Sequence, residues 1–119
     1  LEFSQGEQAY SSGQLAAATM HFQQALQYRA DHLPSLVRMS EIYVEERDGQ
    51  SALIIARQGV VMSNRQDARA LAVLAVAQAL TGSMADARAT ASEALAKARE
   101  TGDVSLIDMV EARVSMLFR

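Results

Sequence analysis

"SSGQLAAATMHFQQAL", residues 11–26, places a glycine ahead of a helix-forming run and then alternates small and large apolar residues: Ala18, Phe22, Ala25 and Leu26. Positions i, i+4, i+7 and i+8 share one face of an α-helix. A small residue on that face lets a neighbouring helix approach closely, and a large one beside it fills the gap that remains. The same order returns along the chain. Adding 34 to each number gives Ala52, Ala56, Gly59 and Val60, and adding 35 more gives Ala87, Ala91, Ala94 and Leu95. "GQLAAATMHFQQAL", "GQSALIIARQGV" and "GSMADARATASEAL" are three versions of one segment, each following a glycine: Gly13, Gly49 or Gly82. A register that recurs at such a period denotes a solenoid of stacked helical units.

The pattern predicts seven helices joined by short turns. They cover about 2–10, 14–28, 31–47, 50–62, 67–80, 84–100 and 104–118. Asp31 is expected to cap the third, with Pro34 in its first turn, where the missing N–H costs nothing. Asn64 or Asp67 is expected to cap the fifth, and Asp103 the seventh. Short turns force consecutive helices to lie antiparallel. The units run approximately 1–32, 33–66 and 67–101, with the helix at 103–118 as a cap or as half of a further unit. The 119 residues amount to a single domain, 1–119.

Half the residues are apolar, and Ala, Leu, Gln, Glu and Arg, all good helix formers, abound. There is no cysteine, which excludes disulfides and Cys-based metal sites and fits cytoplasm or periplasm equally. The longest apolar run, "ALAVLAVAQAL" at 70–80, carries Gln78 and is too short to span a membrane. Net charge is −3, from 11 basic residues, of which Lys97 alone is lysine, and 14 acidic ones. The signs are interspersed with no basic stripe, which argues against nucleic acid as a partner. The chain starts at Leu1 within a helical pattern, and the expectation is a segment of a larger protein.

Nothing in the sequence assembles catalytic chemistry. His21 and His32 lack metal-ligand spacing. Glu45 and Glu46 are adjacent on a helix and point in different directions, whereas paired acid–base carboxylates need a shared pocket. The glycines form no phosphate-binding loop. The six methionines are scattered singly, as core filler. No cofactor, no metal and no enzyme activity is expected.

The quoted segments resemble the tetratricopeptide repeat, a helix–turn–helix unit of 34 residues. Ala18 and Phe22 match that family's A-x3-F element, Tyr43 its first-helix tyrosine, Gly6 its first-helix glycine, and Gly13 and Gly82 its inter-helix glycine. The chain departs from the pattern in having no Trp, in placing Ala30, Asn64 and Arg99 where each repeat ends on proline, and in the closer spacing of Gly49 to its alanine. The resemblance implies an all-α, right-handed solenoid of antiparallel hairpins and a non-enzymatic scaffold that binds a protein or peptide segment in a concave groove lined by the first helix of each hairpin. The groove positions would be Phe3, Glu7, Tyr10 and Ser11; then Val37, Arg38, Glu41, Val44 and Glu45; then Arg69, Ala72, Val73, Val76 and Leu80.

Members that clamp chaperone C-terminal carboxylates use Lys, Asn and Arg in the groove. Phe3, Glu7, Glu41 and Val73 replace them here, leaving only Arg38 and Arg69, so that clamp is not expected. The groove is expected to be acidic at one end, around Glu41 and Glu45, calling for a basic partner. Toward Val73, Val76 and Leu80 it is expected to present an apolar patch that docks a partner segment, the main alternative being cover by the chain's own seventh helix, and another being a second copy of the chain. The alternative to a peptide scaffold is a rigid spacer or self-association module. The Ala- and Arg-rich composition has a bacterial look, and envelope or secretion assemblies are built from such scaffolds, which is an analogy of fold only.

Overall fold

A computed structural model describes residues 1–119. It consists of α1 (Glu2–Ser11), α2 (Leu15–Tyr28), α3 (Leu33–Glu45), α4 (Gly49–Met62), α5 (Ala68–Leu80), α6 (Met84–Thr101) and α7 (Val104–Val114), closed by a 3-10 turn at Ser115–Phe118. Each helix packs on the next in the chain, and α5 packs on α3 and α7 as well. The α5 helix therefore sits in the middle of the stack. Helix continued to residue 118 was expected; instead the last residues tighten into the 3-10 turn. There Leu117 is buried and its carbonyl accepts from Arg88 Nε of α6 at 2.9 Å.

Local chemistry explains where helices start. Asp48, Asp67 and Asp103 each accept a hydrogen bond from a backbone N–H in the first turn: Ser51 at 3.1 Å, Ala70 at 2.9 Å and Leu106 at 3.2 Å. Each carboxylate thereby satisfies an orphan donor at the positive end of a helix. The cap expected from Asp31 is absent. His32 holds the N-cap position of α3 without a side-chain cap bond, and Asp31 faces Arg29 at the surface, 3.6 Å away. Pro34 does lie in the first turn of α3.

The turns inside the hairpins repeat one geometry. Gln14 N–H donates to Ala9 O at 2.9 Å, Asp48 N–H to Tyr43 O at 2.8 Å, and Ser83 N–H to Gln78 O at 2.8 Å. The residue just before each donor has positive φ: Gly13 at 78°, Arg47 at 63° and Gly82 at 93°. Arg47, not Gly49, is thus the counterpart of Gly13 and Gly82, which corrects the sequence register at that turn. Arg47 carries the backbone cost that glycine avoids elsewhere. Gly49 is needed for space instead. A Cβ on it would lie 2.9 Å from Leu80 Cβ at the end of α5.

The small–large register governs packing. Ala18, Ala52 and Ala87 are all fully buried, as are Phe22, Ala56 and Ala91 one turn later. Two apolar clusters result. The smaller joins Ala9, Ala18 and Phe22 to Met39 and Ile42 of α3. The larger runs from Val37 of α3 through α4, α5 and α6 to Val110, Val114 and Leu117. Every residue of α5 from Ala70 to Ala77 is buried, as its uniformly apolar sequence requires.

Candidate partner-binding face

The face formed by α1, α3, α5 and α7 carries an ion-pair network. Its centre is Glu41 on α3, whose side chain is 1% exposed. Arg38, one turn earlier on the same helix, donates to Glu41 Oε1 at 3.0 Å. Arg69 of α5 donates to both oxygens, at 2.9 and 3.2 Å. Arg113 of α7 approaches Oε2 at 3.3 Å. A buried carboxylate loses several kcal/mol of hydration, about the amount that well-placed guanidinium donors are needed to offset. Three arginines from three helices serve here.

The network extends to α1. Arg38 holds Glu7 bidentately, Nε to Oε1 at 2.6 Å and an Nη to Oε2 at 3.0 Å. That hydrogen bonding keeps the Glu7 carboxyl below its ordinary range, against the opposing effect of burial, and pushes the Arg38 guanidinium further up. The Arg38 guanidinium also lies over the Tyr10 ring, 4.8 Å from its centroid. The Tyr10 hydroxyl donates to Glu45 Oε1 in a short hydrogen bond. Burial first, and then Glu45, raise the Tyr10 phenol to about 12.

Ten of the fourteen groove positions expected from the sequence fall into two groups. Glu7, Tyr10, Arg38, Glu41, Glu45 and Arg69 meet in this one network. Val37, Val73, Val76 and Leu80 do not line an open apolar floor. Val37 is 5% exposed, Val73 0% and Val76 8% in the chain by itself. Leu80 is half-buried, with its Cβ beside Gly49 of α4. The exposed apolar patch expected on α5 is therefore absent, because Val73 shares the larger core cluster with Val37 on one side and Val110 and Val114 of α7 on the other. Of the acidic end expected there, Glu7 and Glu41 are matched by Arg38, Arg69 and Arg113, while Glu45 is paired with the Tyr10 hydroxyl alone. Arg113 was missed altogether. Its spacing from Val110 and Val114 places it one position off the buried stripe of α7, the only signal in the sequence that it turns toward this face.

What remains open is a recess of about 140 Å3 between the starts of α1, α3 and α5. Phe3, Leu33, Pro34 and Val37 form its apolar walls, and Glu7, Arg38, Asp67 and Arg69 its polar ones. Glu7, Arg38 and Asp67 already have partners inside the chain. Arg69 has a donor to spare: its Nε is buried and has no acceptor. No group of His, Asp and Glu residues is arranged to hold a metal ion. His21 and His32 pair instead with Glu2 at 3.1 Å and Ser35 at 2.7 Å. No helix is long and apolar enough to cross a membrane.

Among solved structures, the N-terminal domain of stress-induced protein-1 (STI-1) from C. elegans superposes with a TM-score of 0.71 at 18% identity, over 94% of this chain and 91% of that one. A MamA RS-1 ArsTM double mutant superposes with a TM-score of 0.72 at 17% identity, over 99% of this chain and 74% of that one. Both are tetratricopeptide-repeat structures. The fold is a tetratricopeptide-type α-solenoid. Superposition preserves hand, so the right-handed sense expected from the sequence holds along with the all-α class. The sequence itself matches no protein-family model and no curated protein.

Proposed function

We propose that this solenoid is a non-enzymatic scaffold that binds a partner protein segment on the α1–α3–α5 part of its groove face. The observation that supports this reading is the recess itself, in which apolar Phe3, Leu33 and Pro34 stand beside the Arg69 side chain, 37% exposed. The surrounding charges are balanced within the chain, so the complementary segment is neutral at this point. It presents a main-chain carbonyl or side-chain amide oxygen to Arg69 and an apolar side chain to Phe3, Leu33 and Pro34. The placement of such a scaffold in a bacterial envelope or secretion assembly remains part of the proposal and rests on composition.

Selection of random displayed peptides on the immobilised chain tests the reading. Peptides should be enriched that lose binding to Arg69→Gln and Phe3→Ala but keep it with Arg57→Ala, an exposed site on α4. Because the local charges are paired, binding should change little between low and physiological salt. Absence of enriched peptides, or equal sensitivity to Arg57→Ala, rejects the groove. The alternative, a spacer or self-association module, predicts instead that light scattering finds oligomers at micromolar concentration.

A further inference from the structure

The second helices of the hairpins share one register, so their outward positions can be compared directly. Ile54, Arg57 and Val61 of α4 stand where α6 has Ala89, Ser92 and Ala96, and all six are exposed. Alanine and serine suit such positions, since neither puts a large apolar side chain into water. Isoleucine and valine do, and they also lose side-chain freedom in a helix. Yet Ile54 is 58% exposed and Val61 76%, with Met62 beside it at 46%. Val61 and Met62 wall an open recess together with Ala30 of the turn before α3. Neither helix propensity nor packing within the chain accounts for these side chains, and a clustered apolar surface of this kind marks a docking site.

Arg57 lies midway along the stripe, three residues after Ile54 and four before Val61, and lines the same recess. It is the one charged residue of α4. It takes part in none of the ion pairs of the chain. The residues three and four away from it on either side are Leu53, Ile54, Val60 and Val61, so its own helix offers it no carboxylate. A cation in an apolar setting calls for an anion from outside. A second copy does not supply one here. Two α4 helices paired about a two-fold axis through the middle of the stripe would set Arg57 against Arg57, a like-charge contact that an interface does not tolerate.

We propose that this stripe of α4 is a docking surface for an amphipathic helix of another protein, which seats two apolar residues on Ile54 and Val61 and an Asp or Glu midway between them on Arg57. Ile54 and Val61 are two helical turns apart, about 10 Å, the interval at which a partner helix repeats its own apolar face. The surface shares no residue with the recess between α1, α3 and α5, and it does not depend on peptide binding there.

The probe is a library of displayed single helices randomised on one face and selected on the intact chain. Helices should be enriched that carry two apolar residues seven apart with a carboxylate between them. For such a peptide, Arg57→Gln should weaken binding about fivefold, as for an ion pair near a surface. Ile54→Ala and Val61→Ala should each weaken it about tenfold, as for loss of most of a buried aliphatic side chain. Arg57→Glu should favour the same peptide with Lys in place of its carboxylate. Both alanine variants should melt no lower than the parent, because alanine is the better helix former. Equal binding of the carboxylate peptide and its amide counterpart overturns the proposal. So does a lowered melting temperature, which would make Ile54 or Val61 part of what holds the fold. Self-association of the chain that Val61→Ala abolishes would assign the face to a second copy instead. If every enriched peptide depends on Phe3 and Arg69 and none on Arg57, the α4 surface is empty and only the groove reading stands.

Discussion

The α1–α2 hairpin and the α5–α6 hairpin meet the same packing requirement with opposite residues. In the first, one large side chain dominates. Phe22 lies so close to Gly6 that a Cβ there would come within 2.5 Å of its ring, and the Phe3 ring stands 5.6 Å away. In the second, alanine dominates the buried positions: Ala70, Ala72, Ala75 and Ala77, spread around α5, and Ala87, Ala91, Ala94 and Ala98 of α6 are all fully buried. Stabilisation is concentrated in one hairpin and spread out in the other. A concentrated interface is sensitive to truncation, since one substitution opens a cavity. A spread interface of methyl groups is sensitive to enlargement, since a methyl group has no other rotamer in which to make room.

The largest effect should follow from removing the concentrated element. Phe22→Ala is expected to cost about 3–5 kcal/mol. The loss should appear in hydrogen exchange of α1 and α2 at lower denaturant than in α5 and α6. Simultaneous loss throughout would show that the two hairpins are one cooperative unit and end the distinction between them.

Enlargement comes next. Ala18→Leu and Ala91→Leu should each cost roughly 1–3 kcal/mol by chemical denaturation. The Ala91 variant should be the more damaging. The cluster around Ala18 is small and bordered by half-buried Leu15, Leu26 and Tyr10, which can shift toward solvent, whereas Ala91 lies in the larger cluster of 17 buried residues. The reverse order would show that the α5–α6 interface is the more compliant of the two.

The smallest effects should be those of pH, and in the first hairpin they involve Tyr10 and Glu7. The Tyr10 phenol is raised from 10.0 to about 12 in the fold. Its contribution is complete below pH 10 and disappears as pH rises from 10 through 12. The Glu7 carboxyl is lowered, chiefly by its hydrogen bond from Arg38, so its contribution holds above its ordinary 4.5 and fades as pH falls below that. Melting curves of Tyr10→Phe should lose part of the alkaline decline and those of Glu7→Gln part of the acid one. Variants that track the parent at both extremes would disconnect these side chains from stability.

The helices, their order and the hairpin stack were legible in the sequence because they depend on local periodicity. Ala18, Ala52 and Ala87 announce a close approach wherever they recur, and an aspartate ahead of an apolar run announces a helix start. The misreadings have equally local causes. Gly49 looked like a turn glycine because any glycine permits positive φ, yet the turn uses Arg47 and Gly49 makes room for Leu80. Asp31 looked like a cap because its type is right, yet His32 takes the position.

The groove face divides along the same line. The family resemblance places Glu7, Arg38, Glu41 and Arg69 on the groove sides of their helices, and helical spacing adds that Arg38 and Glu41 share a face of one helix. Neither says which residues touch across helices. That Glu41 is buried rather than solvating, that three arginines neutralise it, and that Arg113 reaches it from a helix two positions along the stack were decided by the distances between helices. The apolar character of α5 was plain in the sequence. That it needed cover, with the seventh helix as one candidate, was legible too; that α3 and α7 supply it was not, because burial belongs to the neighbours a helix acquires, and those are set by how the whole stack closes around it.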